Sequence, residues 1–430
     1  MKNISILFKV HQPLQLRSYR FFDIGLDHYY YDDFTNKSSL LKTAKKSYLP
    51  MNNLLLEMIK THKKNFKVSF SISGTTLEQF EKQAPEVIES FRKLAATGNV
   101  DFVGETYSHS LASAAAEQEF RNQALAHSAK IKQLFGIEPT VFSNTDLIYS
   151  DAIGEQVFDM GFKGMIAEGA KQVLGWKSPN FMYCNANNPR LKVLLRNYKL
   201  SDDVSLRFSN QSWNEYPLTA DKYVAWVQSI PENEEVVNLV FDYKTFGIYQ
   251  SAETGIFDFF KAFVNHAIAQ KITFPTFAET INVLQPVSVL SVPNITSCID
   301  EERDLTAASG NNLQKQALKG LYNLSLQMNT VSDAGIIADW NKIQNSDHIY
   351  YMNARGTAQD ESPYPTHYEA FINYMNVIAD MNERIAKMPK TDSFDNLSIE
   401  EIESEIEKHS EMLNQLMAAA KNRQQRRGKK

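Results

Sequence analysis

Two aspartates stand where apolar runs give way to polar residues, and carboxyls so placed could cleave a glycosidic bond. Asp146 follows Val-Phe-Ser-Asn-Thr, and Asp242 closes Val-Val-Asn-Leu-Val-Phe before Tyr-Lys-Thr-Phe-Gly. Such cleavage needs one carboxyl to protonate the leaving oxygen and another to attack or to activate water. Pattern alone also allows Asp146 to cap a turn. Asp242 has less freedom, because a charge ending the most apolar strand of the chain is costly to bury unless it is paired or functional. No Gly-rich phosphate loop follows a strand, and neither a Gly-x-Ser-x-Gly elbow nor a His-Glu-x-x-His element occurs. His11, His109, Asp146 and Asp242 could converge on a divalent ion. Yet Gln12-Pro13 follows His11 and Glu105 stands four residues before His109, where metal sites want paired histidines or a His-x-Asp element. Neither a metal nor a cofactor is expected.

The elements that must position these groups read as short β-rich runs separated by longer helical patterns. The runs are 4–10, 68–72, 100–104, 140–143, 164–168, 192–196 and 236–242. This alternation predicts parallel strands joined by right-handed crossovers, buried on both faces. An α/β barrel is favoured over an open sheet, although periodicity alone does not separate them. In a barrel the residues just past the C-terminal strand ends face the reaction site, and His11, Gly74, Glu105, Asp146 and Asp242 all fall there. The barrel is expected over 1–300. A helical subdomain follows over 301–388, with helices near 313–328 and 368–384 and a loop or lid over 345–367. A linker over 389–397 leads to a last amphipathic helix over 398–430. Ser398 and Glu401 open that helix with a capping box. Its seam of Ile399, Ile402, Ile406, His409, Leu413, Leu416 and Ala420 suits docking on the body or weak oligomerisation.

A chain of 430 residues, 43% hydrophobic, can bury a large core. Its net charge of −5, with scattered basic residues except in the tail from Lys421 to Lys430, argues against a nucleic-acid partner. Cys184 and Cys298 lie far apart without metal-type spacing, which favours a reducing compartment. The first residues are too interrupted for a signal peptide and no stretch is long enough to span a bilayer. The expected location is cytoplasmic, with no membrane partner.

Five motifs recur in order: His11-Gln12-Pro13, the stretch from Gly104 to Ser110, Ser143-Asn144-Thr145-Asp146, the stretch from Phe241 to Gly247, and Glu302-Arg303-Asp304-Leu305. Together they resemble glycoside hydrolase family 57, in its bacterial α-amylase-like branch, through nearly the whole chain. The resemblance implies a seven-stranded (β/α) barrel of the incomplete TIM type, with a helical C-terminal part. It also implies a retaining mechanism on α-1,4-glucans without a metal, and α-glucan or maltooligosaccharide as the binding partner. Asp146 then matches the nucleophile and Asp242 the general acid/base, while His11, Glu105 and His109 lie near the sugar subsites; Asp304, in the last motif, and Trp176, as an aromatic platform, are further candidates for sugar binding.

Three departures bear on turnover. The family's nucleophile is a glutamate, one methylene longer than Asp146. Beside Asp242 stand Lys244, Ile248 and Tyr249 instead of the family's polar residues, and a nearby Lys244 would keep that carboxyl ionised. Ala307-Ala308 replaces Ala-Trp, which removes an aromatic platform and leaves Trp176, Tyr350 and Tyr351 as candidates. A slow enzyme, or a relative that binds glucan or a protein without turning it over, would both fit these changes.

Overall fold

The computed structural model describes residues 2–355 and 362–388, with a few positions between 398 and 410. Contacts gather Met1–Glu383 into one unit, helices beyond residue 301 included, and Arg384–Lys430 into a second. Nine strands form among the described residues: β1 (Asn3–Val10), β2 (Val68–Ile72), β3 (Val100–Phe102), β4 (Val141–Ser143), β5 (Gly164–Glu168), β6 (Met182–Asn185), β7 (Lys192–Arg196), β8 (Val236–Asp242) and β9 (Ser288–Leu290). All seven strands expected from the sequence are present. The other two, β6 and β9, are four and three residues long, too short for any periodicity to register.

The seven lie in the order β3-β2-β1-β8-β7-β5-β4, with every neighbouring pair parallel. The two ends of this order meet at one parallel bridge between Gly104 and Phe142. There Gly104 N–H donates to Val141 O at 2.8 Å and Ser143 N–H to Gly104 O at 2.8 Å. Only glycine fits this seam, since a Cβ at residue 104 would come within 2.6 Å of the Phe162 ring. β7 pairs with β8 in the ladder at Arg196 and Asn238, and β7 also pairs antiparallel with β6, which in turn pairs with β9.

Side-chain alternation sorts the strands into two faces. On β1, Ile4, Ile6, Phe8 and Val10 join the outer core with Val68, Phe70 and Ile72 of β2 and Val237, Leu239 and Phe241 of β8. Helices such as Pro85–Ala95 press Val87, Ile88, Phe91 and Leu94 onto that layer at helical spacing. The opposite face carries Leu7, Val141, Ile166, Leu194, Val236 and Val240 in a smaller cluster. Along this inner column β1 reads Ser5, Leu7, Lys9 and then His11. The inner face is therefore apolar in the middle and polar toward the C-terminal strand ends.

After Leu290 the described residues form helices and loops. The helix expected over 313–328 is interrupted at Leu324, giving Asn312–Asn323 and Ser325–Met328, while His367–Ala386 forms as one piece. The linker and the basic tail lie outside the described residues. Of the seam, Ile399 and Ile406 are described, both helical and exposed. No described helix is long and apolar enough to cross a membrane.

Candidate active site

Asp146 occupies a short turn, Thr145–Leu147, directly after β4. Its φ of 46° and ψ of 32° put it in the left-handed region, and Leu147 follows with φ 54°. Aspartate adopts this conformation more readily than longer side chains do. The backbone at residue 146 thus suits the shorter acid. Two groups hold it: Ser297 Oγ–H donates to Asp146 O at 3.0 Å and Cys298 N–H at 2.8 Å. Its carboxyl, 27% exposed, has Oδ1 3.9 Å from His109 Nε2.

His109 is the centre of the cluster. Its Nδ1 lies 2.6 Å from Glu105 Oε1, and its ring stacks on that of His11 at 3.9 Å between centroids and 14° between planes. Burial disfavours the imidazolium, but the Glu105 hydrogen bond and the charges of Glu105 and Asp146 outweigh it, so the net shift of His109 is upward. His11 is shifted downward, by burial and then by the charge of His109. A stacked pair in which only one ring is charged satisfies both directions. His11 Nδ1 lies 2.8 Å from Ser73 Oγ, and its Nε2 lies 2.9 Å from Asp347 Oδ2. Glu105 accepts a hydrogen bond from Ser71. Burial opposes its charge, yet Lys9 and His109 hold its carboxyl far below the usual range.

Lys9 ties the two sides together. It pairs in register with Asp242 across the β1–β8 ladder, and its Nζ–H reaches over to donate to Asn144 O at 2.8 Å, two residues before Asp146. Asp242, 41% exposed, accepts from Lys244 N–H at 2.8 Å and from Tyr249 Oη–H at 3.4 Å. The Lys244 ammonium stands 3.8 Å from Asp242 Oδ2 and 5.5 Å from the centre of the Tyr249 ring. Burial opposes the charge on Lys244, but Asp242, Tyr249 and Tyr48 together raise its pKa well above the usual value.

The structure thus brings His11, Glu105, His109 and Asp146 into direct contact, with Asp242 linked through β1. Sequence reasoning missed Lys9, Ser73 and Asp347. Lys9 was signalled by a charged residue on the inner alternation of a buried strand. Asp347 arrives from the helical part, 336 residues away in sequence from His11, and no local pattern marks it. Two further expected residues make other local contacts, or none, rather than the cluster contacts described above. Asp304 uses Oδ1 to accept from Thr306 N–H at 2.7 Å, starting a short helix. Trp176 is 93% exposed, the most exposed of the large apolar side chains described. Ala308 and Tyr351 are buried, which makes them core packing. Among the described residues no three of His, Cys, Asp and Glu are grouped to hold a metal ion.

A parallel strand ring with carboxylates on its C-terminal rim is the architecture of a barrel-type glycoside hydrolase. The model of glycosyl hydrolase family 57 matches residues 5–293, and the chain belongs to that family. It is 35% identical over 414 residues to a Methanocaldococcus jannaschii protein named "Putative alpha-amylase", covering 91% of this chain and 86% of that one. The fold is similar to a family 57 branching enzyme of Thermococcus kodakaraensis, with TM-score 0.67, 10% identity and coverage of 90% and 92%. It is also similar to a 4-alpha-glucanotransferase of Thermococcus litoralis, with TM-score 0.55 and 14% identity. That match covers 87% of this chain, which spans 55% of the length of the glucanotransferase.

Proposed function

We propose that this glycoside hydrolase acts on α-1,4-glucans, by hydrolysis or by transfer to a second glucan, and that Asp146 and Asp242 are its reacting pair. The reading is carried by one observation: Asp146 sits on the polar rim 3.9 Å from His109, which Glu105 holds by a hydrogen bond, in a cluster tied through Lys9 to the strand end bearing Asp242. The names of the relatives supply the substrate class.

In this scheme Asp242 protonates the glycosidic oxygen while Asp146 attacks the anomeric carbon; Asp242 then removes a proton from water or an acceptor sugar to release the glycosyl group. The shorter reach of Asp146 slows the first step, because a misplacement of about 1 Å costs roughly 100-fold. Lys244, whose ammonium stands 3.8 Å from the carboxyl that must act first as an acid, competes with the glycosidic oxygen for that carboxyl and slows the same step.

A second reading, glucan binding without turnover, draws on that 3.8 Å contact of Lys244 with Asp242. Incubation with maltoheptaose, followed by separation of the products, distinguishes the two. The enzyme reading expects shorter oligosaccharides, with longer ones if transfer occurs, and a loss of at least ~1,000-fold in Asp242→Asn. Maltoheptaose that binds but stays intact supports the second reading and overturns the first.

A further inference from the structure

The left-handed backbone at Asp146 is held from outside its own strand. The segment from Thr296 to Arg303 lies against the turn at two levels. Tyr149 and Thr296 exchange backbone hydrogen bonds at 3.0 and 2.8 Å, and Ser297 and Cys298 both donate to Asp146 O. The segment closes on itself, since Ser297 N–H donates to Arg303 O at 3.1 Å. Its far end is anchored by a charge. The Arg303 guanidinium enters a buried site in which Nη2 lies 2.8 Å from Asp202 Oδ2 and Nη1 lies 3.5 Å from Glu168 Oε2, and it stacks over the Tyr198 ring at 4.9 Å. Arg196 completes the site with contacts of 3.1 Å to Glu168 and 2.5 Å to Asp202.

Two cations and two carboxylates balance in this site, and Glu168 and Arg196 end β5 and β7, the strands between those of Asp146 and Asp242. Non-glycine residues in the left-handed region persist only where their surroundings over-determine them. Two such residues in succession, at 146 and 147, need an outside brace.

We infer that Arg303 is a positioning residue for Asp146, acting through the Ser297 hydroxyl and the Cys298 amide and never touching the sugar. The role rests on the proposed reaction for its kinetic consequence, while its structural consequence is independent of any turnover. Arg303→Met leaves Glu168 and Asp202 with one cation, so the variant that decides is the charge-matched Glu168→Gln/Arg303→Met double. Two measurements on the full chain apply: maltoheptaose turnover, and hydrogen exchange of the backbone segment containing the Cys298 amide.

The double variant keeps a wild-type-like melting transition, exchanges the Cys298 segment at least ~10-fold faster, and loses about 100-fold in kcat with KM within threefold. Arg303→Lys, which keeps the charge but not the planar fork, recovers part of the kcat. Unchanged protection at Cys298 in the double variant overturns the inference, as does wild-type kcat there. Wild-type protein with no turnover contradicts the proposed function alone, and the exchange result then decides the positioning role.

Discussion

At the residue scale the unusual feature is that the aspartate proposed as nucleophile sits on a left-handed turn that suits its short side chain. Aspartate tolerates φ near 46° better than glutamate, so the backbone at residue 146 suits the shorter acid. If reach limits the reaction, Asp146→Glu accelerates maltoheptaose cleavage by about 10-fold or more while costing about 1 kcal/mol of stability for the longer side chain in a left-handed turn. Parallel kinetics and denaturant titration test this, and a slower Asp146→Glu enzyme contradicts limitation by reach. Of the cluster, His11, Glu105 and both aspartates were legible because each stands at the end of a strand-like run, and His109 came from the family resemblance. Asp347 was not, because its partnership with His11 is purely tertiary. Asp304 was expected beside the sugar from its place in a family motif and Trp176 as an aromatic platform; Asp304 makes a capping bond and the Trp176 side chain is exposed.

At the scale of elements, alternation on β1 and β2 accounts for how the site is assembled. Residues Ser69, Ser71 and Ser73 recur at period two on β2, and two of them serve the cluster, Ser71 on Glu105 and Ser73 on His11. Small hydroxyls on the inner face leave room for the carboxylate and the imidazole. The seven parallel strands were legible from their apolar runs, whereas β6 and β9 were not, since pairing rather than composition makes them strands. The seam at Gly104 is, like the β7–β8 junction, a weak point of the ring, with a single bridge between the β3 and β4 ends. Gly104→Ala forces a methyl group into the Phe162 and Phe142 rings, and overpacking of this kind costs about 2 kcal/mol. Urea titration measures it, and a loss below ~0.5 kcal/mol would mean that the seam yields without cost.

At the scale of the whole molecule, several buried histidines tie stability to pH. Burial lowers His348 to about 4, and His11 and His127 shift in the same direction. An unfolded histidine takes up a proton below about 6.5. The folded protein resists that proton, so stability is full above 6.5 and falls as the pH drops toward 4. His109 has the opposite sign, contributing most below 6.5 and losing its contribution as the pH rises through its elevated folded value. For His348 alone the loss between 6.5 and 4 amounts to roughly 3 kcal/mol. His348→Phe is therefore expected to flatten the decline over that interval, read from melting temperatures across pH; an unchanged slope would assign the decline to other groups. The central claim concerns chemistry on the rim. Proton NMR of the first sugar released from an α-1,4-linked maltooligosaccharide, followed before mutarotation, tests it most directly. The account predicts the α-anomer first, through a glycosyl ester on Asp146. A β-anomer appearing first would make Asp146 a base acting through water, and no sugar released at all would make the rim a binding site.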